Sequence, residues 1–253
     1  MSAHDARPLA LRAGQLGRPA IIVPITGETS EAALDAAAAT IGSPADLVEW
    51  RADGLDDLTP VTLTTTVRAL GDTLEVPLLL TVRTRTEGGS ADIDDETYAE
   101  LVLTGIRSGA IAYVDVEFRR EPHTVAALVD AAHTAGVGIV LSAHDFAATP
   151  PPAELRELFE AMCSVAPDVV KVAVMPADAR DVLRMLETTL DVRDTHPDQA
   201  LISIAMGPLG VVSRIAATTY GSVASFATVG QASAPGQIDA ETLRNLLDAI
   251  SDA

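Results

Sequence analysis

Short runs of β-branched and aliphatic residues recur along the chain, each followed by a longer stretch whose apolar positions repeat at helical spacing. The runs are IIVPIT (21–26), DLVEWRAD (46–53), PLLLTVRT (77–84), IAYVDVEF (111–118), GIVLSAHD (138–145), VVKVAVMP (169–176), LISIAMG (201–207) and SVASFATV (222–229). These eight runs start 21 to 34 residues apart, which leaves room for a strand, a helix and two short loops in each unit. Helix-end signals punctuate the stretches between them: SEAALDAAAATIG closes on Gly42, TVAALVDAAHTAG closes on Gly136, and TPPPAELRELFEAM opens on prolines. An amphipathic segment, DAETLRNLLDAISDA, follows the last run. Eight β-then-α units predict an α/β fold, a (β/α)8 TIM barrel in a single domain over residues 21–253, with a doubly wound open sheet as the alternative. Residues 1–20 read as a short N-terminal extension, forming a hairpin or flap over one barrel end.

Within the runs a second period appears. In a barrel, alternate strand residues face the helices and the lumen. Val48 and Trp50 alternate with Glu49, Arg51 and Asp53; Leu80 and Val82 with Thr81 and Arg83; Val114 and Val116 with Asp115 and Glu117; Leu141 and Ala143 with Ser142 and His144. Lys171 stands between Val170 and Val172. The apolar set faces the covering helices, so the charged set converges on the barrel axis. Burying that many ionisable groups costs several kcal/mol for each unpaired charge. Ion pairing of Glu49 with Arg51 or Arg83 accounts for some of them and leaves the rest without a packing role. Active sites of this architecture lie at the C-terminal ends of the strands, where these residues fall.

Composition narrows the field. A formal net charge of −19 makes nucleic acid and anionic membrane poor partners, so an anionic small molecule needs a local cluster of arginines. Cys163 is the sole cysteine; it allows no intrachain disulfide and no thiolate cluster for zinc. No convergent set of His, Cys and carboxylates has metal-binding spacing, and the expectation is no metal and no other cofactor. MSAHDARPLALRAG lacks the apolar run of a signal peptide and no apolar stretch reaches spanning length, which reads as cytoplasmic.

Two residues then stand out. Lys171 is the only lysine among 17 Lys and Arg residues. Arginine stays protonated, whereas a desolvated lysine amine loses its proton and attacks carbonyls. The plainer reading is a lysine with its stem in the core and its head on water or a carboxylate, Glu117 or Asp115 being the candidates. Of five histidines, His4 lies in the N-terminal tail, His123 and His133 flank or lie in a helix, and His196 sits in a loop. Only His144 occupies a strand, adjacent to that of Lys171.

The stretches TVRTRTEGG (81–89), SAHDFAATP (142–150), GVVSRI (210–215) and QASAPGQI (231–238), together with EWR and K-x-AVMP, occur in an order that resembles the type I 3-dehydroquinate dehydratases, from about Ile21 to the C-terminus. The resemblance implies a shikimate-pathway enzyme, a cytoplasmic homodimer, that converts 3-dehydroquinate to 3-dehydroshikimate by syn elimination through a lysine Schiff base. On that resemblance Lys171 forms the imine, His144 is the general acid and base, and Glu87 orients it. Arg214 pairs with the substrate carboxylate, while Ser233 and Gln237 come from a closing loop. Glu49, Arg51 and Arg83 hold ring hydroxyls, and Met206 and Phe226 form apolar wall. The chain departs from the pattern at Pro24, where some members carry serine, at Ile204, where some carry methionine, and in an apolar Gly207-Pro208-Leu209-Gly210 loop.

Two other readings use the same residues. A Schiff-base aldolase acting on sugar phosphates employs Lys171 likewise and needs a phosphate site, for which 207–210 is the candidate; the HDF and SAPGQ stretches argue against it. A non-catalytic barrel that binds a small acid makes Lys171 an ion-pair partner only.

Overall fold

The computed structural model describes Leu11, residues 18–230 and residues 236–251. The expected N-terminal hairpin therefore falls almost wholly outside the described residues. Eight parallel strands build the barrel: β1 (Ala20–Ile25), β2 (Leu47–Arg51), β3 (Leu78–Thr81), β4 (Tyr113–Glu117), β5 (Gly138–Asp145), β6 (Val169–Val174), β7 (Ala200–Ala205) and β8 (Ala224–Thr228). From β1 to β7 each pairs with the next in sequence, and β8 pairs with β1. The ring closes where Val223 N–H donates to the Leu201 carbonyl at 2.8 Å beside a Leu201–Ser222 bridge. A ninth strand of two residues, β9 (Ile238–Asp239), pairs with β8 outside the ring. Its length explains why periodicity did not reveal it.

Helices α1 (Ser30–Ala38), α2 (Pro60–Thr73), α3 (Asp95–Arg107), α4 (Pro122–Ala135), α5 (Pro152–Ser164) and α6 (Ala179–Thr195) alternate with the strands; α7 (Val211–Ile215) and α8 (Ala217–Tyr220) share one connection, and α9 (Ala240–Ser251) follows β9. Their starts have local causes. Thr59 and Thr62 form a reciprocal capping box around the first turn of α2, which opens on Pro60, and the Asp94 and Asp178 carboxylates accept backbone N–H groups of the first turns of α3 and α6. α4 stops at Gly136 with φ of 73°, as its sequence predicted, whereas α1 ends at Ala38, short of Gly42, and tight turns fill the interval. No helix of the described residues is long and apolar enough to cross a membrane.

The period-two reading holds on both faces. Val48, Trp50, Leu80, Val82, Val114, Val116, Leu141, Ala143, Val170 and Val172 join one buried cluster with the covering helices. Leu80 is fully buried there beneath Gly105 of α3. Leu80→Ala should lower the unfolding free energy by about 2–5 kcal/mol, read as a lower urea midpoint at unchanged slope.

Facing the axis is a second, stratified cluster. Its lower part is apolar: Ile22, Leu47, Leu79, Tyr113, Val140, Val169, Ile202 and, from before the barrel, Leu11. Two residues further along β2 to β6, one step of ~6.6 Å on the same face, the side chains become Glu49, Thr81, Asp115, Ser142 and Lys171. The next step brings Arg51, Arg83, Glu117 and His144. The charged residues are thus confined to the half of the lumen at the strands' C-terminal ends, over a packed hydrophobic floor.

Candidate active site

At that end lies a cavity with about 630 Å³ of unfilled space, counting its open mouth. Its wall includes Glu49, Arg51, Arg83, Glu87, His144, Lys171, Met206, Arg214, Phe226 and Gln237, so ten of the eleven site residues expected from sequence meet at one place. The eleventh, Ser233, lies outside the described residues.

Lys171 projects from the middle of β6 and is 4 % exposed. Its Nζ stands 3.5 Å from Asp115 Oδ2, 3.6 Å from Glu49 Oε1 and 4.3 Å from the centre of the Phe226 ring. Of the two carboxylates that sequence offered as mates, Asp115 is the one that reaches it. Glu117 instead faces Arg83, Thr84 and Arg120. Both contacts of Nζ are longer than a good hydrogen bond, and the amine has a cavity beside it. Glu49 and Asp115 are themselves held by the hydroxyls of Thr81 at 2.8 Å and Ser142 at 2.6 Å.

His144, near the end of β5, places Nδ1 3.0 Å from Glu87 Oε2, and the same oxygen accepts the His144 backbone N–H at 3.2 Å. This leaves Nε2 as the ring nitrogen free of that carboxylate. Burial, reinforced by the positive charges of Arg83, Lys171, Arg51 and Arg119, holds the imidazole well below its usual range, so it is neutral. Burial also pushes the Glu87 carboxyl up to about 7, with Glu117 and Asp115 adding to the effect and Arg83 and Arg119 opposing it. Glu87 ends a tight 3-10 turn, Arg85–Glu87, that stops at Gly88. Gly88 has φ of 80°, and a Cβ there would stand 2.2 Å from the Phe146 ring. The Glu-Gly-Gly stretch is therefore the turn that sets Glu87 over His144.

Two arginines are fixed by carboxylates. Arg51 makes a two-pronged pair with Asp53 at 2.8 Å on both arms, and Asp53 in turn accepts the backbone N–H groups of Arg83 and Ser90. Burial works against the Arg51 charge, yet the Asp53 contacts outweigh it and raise its pKa. Arg83 is buried among Asp115 at 2.7 Å, Glu117 at 3.2 Å and Glu87 at 3.4 Å, and donates to Ser142 at 3.0 Å. Burial likewise opposes its charge and the surrounding carboxylates override it. Arg214, from α7, reaches the Phe226 carbonyl at 3.4 Å. Burial pushes its pKa down to about 10, which leaves it a cation at neutral pH.

Four wall residues were not assigned to the site from sequence: Gly88, Phe146, Ala173 and Ile204. Ala173 is two residues beyond Lys171 on one strand face, a position that period two makes legible. Phe146 lies within the His-Asp-Phe stretch, and only the structure shows its ring stacked against His144 with centroids 6.4 Å apart. Among the described residues no group of three or more His, Cys, Asp or Glu is placed to hold a metal ion.

The chain is similar to known proteins in sequence and in fold. The profile of the type I 3-dehydroquinase family matches residues 21–253. The chain is 41 % identical to a 3-dehydroquinate dehydratase of Lactiplantibacillus plantarum over 95 % of this chain and 96 % of that one. It is 37 % identical to one from Klebsiella pneumoniae, over 94 % and 95 % respectively. In three dimensions it resembles the type I 3-dehydroquinate dehydratase of Clostridium difficile, a structure with covalently modified comenic acid, at a TM-score of 0.89 and 30 % identity over 93 % of both chains.

Proposed function

The chain belongs to the type I 3-dehydroquinase family, a hydro-lyase that converts 3-dehydroquinate to 3-dehydroshikimate and water, and on that premise we propose how its own residues divide the work. The observation that carries the reading is one cavity shared by the Lys171 amine, the Glu87–His144 pair and three arginines, Arg51, Arg83 and Arg214. In its neutral form Lys171 Nζ attacks the substrate ketone, and the carbinolamine loses water to give an iminium. The iminium withdraws electrons and acidifies the neighbouring carbon, whose proton passes to His144 Nε2. The electron pair left behind forms an enamine. Its collapse expels the β-hydroxyl, which leaves as water with the proton His144 has just taken, so removal and donation occur on one face of the ring. A second water hydrolyses the conjugated iminium and frees Lys171. One water is released at imine formation and one is consumed at the end, so the net change is the loss of a single water.

Arg214, planar and cationic at the cavity wall, suits the substrate carboxylate. Glu49 and Arg51 suit ring hydroxyls, and Gln237 with Ser233 the closing loop. Arg83 lines the wall while three carboxylates hold it, so its part in binding is to present whatever donor capacity they leave. Met206 and Phe226 pack against the ring. The same reading carries a cytoplasmic homodimer, to be checked by light scattering in solution.

Borohydride added during turnover should reduce the iminium and leave the 3-dehydroquinate skeleton covalently on Lys171, seen by peptide mass spectrometry. Trapping by sugar phosphates alone would move the assignment to a Schiff-base aldolase.

The Glu87–His144 contact also sets an acid limit. Above about pH 7 the Glu87 carboxylate is ionised and accepts the proton on Nδ1, leaving a lone pair on Nε2 to act as base. Below that pH the carboxylic acid donates to Nδ1, and the ring proton sits on Nε2, where it blocks proton removal. The expected kcat/KM profile therefore falls as pH drops through about 7. Glu87→Gln, whose amide oxygen still accepts from Nδ1 but does not ionise, should move this limb to lower pH. An unmoved limb would remove Glu87 from the assignment.

A further inference from the structure

Glu117 is a buried carboxylate for which the mechanism above has no use. It sits at the end of β4, 1 % exposed. Oε1 accepts the Thr84 backbone N–H at 2.8 Å and lies 3.2 Å from Arg83 Nη1; Oε2 accepts the Thr84 hydroxyl at 2.7 Å and Arg120 Nε at 3.2 Å. Arg120 is anchored outside by Asp95 at 2.7 Å and lies 4.5 Å over the ring of Tyr98. The Tyr98 hydroxyl in turn accepts the Glu117 backbone N–H at 2.9 Å. A chain of charges thus runs from the surface at the start of α3 to Arg83.

Arg83 Nη1 is the point where that chain meets the site. It lies 3.2 Å from Glu117, 3.0 Å from Ser142 and 3.4 Å from Glu87, whose same oxygen Oε2 serves His144. The contact with Glu87 is the longest of the three. We propose that Glu117 is a positioning residue for the Glu87–His144 pair: by holding Arg83 Nη1 it keeps the guanidinium from closing a full ion pair with Glu87, and so leaves Glu87 to direct His144. Glu117 acts through Arg83 and does not touch the cavity. The inference rests on the acid-base role assigned to Glu87 and His144.

The charged groups facing Glu87 are Arg83 from the end of β3, Asp115 and Glu117 from β4, Arg119 from the loop after it, and His144 from β5. Lys171 and Arg51 act on the same pair through His144. Glu117 has a partner, Arg120, on the side away from the site, so two variants change its hold on Arg83 in opposite senses. Glu117→Gln keeps a neutral acceptor for Thr84 and Arg83 but removes the charge, and Arg83 then turns toward Glu87. The acid limb of kcat/KM should move to lower pH by about one pH unit, with kcat reduced more than KM is changed. Arg120→Met removes the outer partner and leaves the Glu117 charge to Arg83 alone, which should move the limb to higher pH.

The experiment is the kcat/KM–pH profile of the intact chain and of these two variants with 3-dehydroquinate, alongside Glu87→Gln and borohydride trapping on Lys171. Limb movements of opposite sign support the inference, and Arg120→Met alone decides it if Glu117→Gln does not fold. A wild-type limb that Glu87→Gln displaces but neither of these variants does overturns the role of Glu117 alone. A limb insensitive to Glu87→Gln overturns the acid-base assignment and this inference with it. A fall in melting temperature with no movement of the limb marks Glu117 as structural only and also overturns the proposal.

Discussion

Lys171→Ala leaves a folded protein that neither dehydrates 3-dehydroquinate nor captures it, with turnover down on the order of 10⁵-fold. The physical basis is that the chain has one lysine and the cavity holds it. The arginines that surround the site stay protonated and do not replace it as nucleophiles. The measurement is the growth of conjugated-enone absorbance, paired with mass spectrometry after borohydride. Folding has to be checked separately, because the substitution leaves Glu49 and Asp115 without the amine that stood 3.6 and 3.5 Å away. Asp115 keeps Arg83 at 2.7 Å and both carboxylates keep their hydroxyl donors, so the structure tolerates the loss. Circular dichroism of the variant should match that of the wild type. Appreciable turnover by the folded variant would end the imine mechanism for this chain.

His144→Ala separates capture from elimination. The amine of Lys171 still forms its adduct, since nothing in the Nζ environment depends on the imidazole for contact: its neighbours are Glu49, Asp115 and the Phe226 ring. Proton removal and the final hydrolysis both slow, and kcat falls by about 10²–10⁴-fold, the usual weight of a positioned acid-base group. The signature is an enzyme that accumulates covalent substrate, visible as a mass increase on Lys171 without steady-state product. Full activity in this variant would assign the proton transfers elsewhere.

The sequence revealed much of this site because barrel geometry is periodic. A residue every two along a strand shares a face, so the common orientation of Glu49 with Arg51, Thr81 with Arg83, and Ser142 with His144 is legible in their spacing alone. The motif resemblance added Glu87, Arg214 and Gln237, which no periodicity reaches: Glu87 sits on a 3-10 turn and Arg214 on a five-residue helix. What stayed hidden depends on distances across the barrel. Nothing in the order of residues says that Arg83 meets three carboxylates, that Asp115 and not Glu117 approaches Lys171, or that the ring of Phe146 rests on Gly88. β9 escaped because two residues carry no period, and the early end of α1 escaped because its alanine run gives no stop signal before Gly42.

The hydrophobic floor beneath Lys171 makes the barrel a cup and not a pipe. Ile22, Leu47, Leu79, Val169 and Ile202 close the lumen below the amine with buried apolar side chains that offer water no hydrogen-bond partner. Among the described residues, the mouth at the strands' C-terminal ends is the doorway this arrangement offers to substrate and product. When the bound acid occupies that doorway, the water that finally releases product either slips in past it or is the same molecule shed when the covalent bond formed.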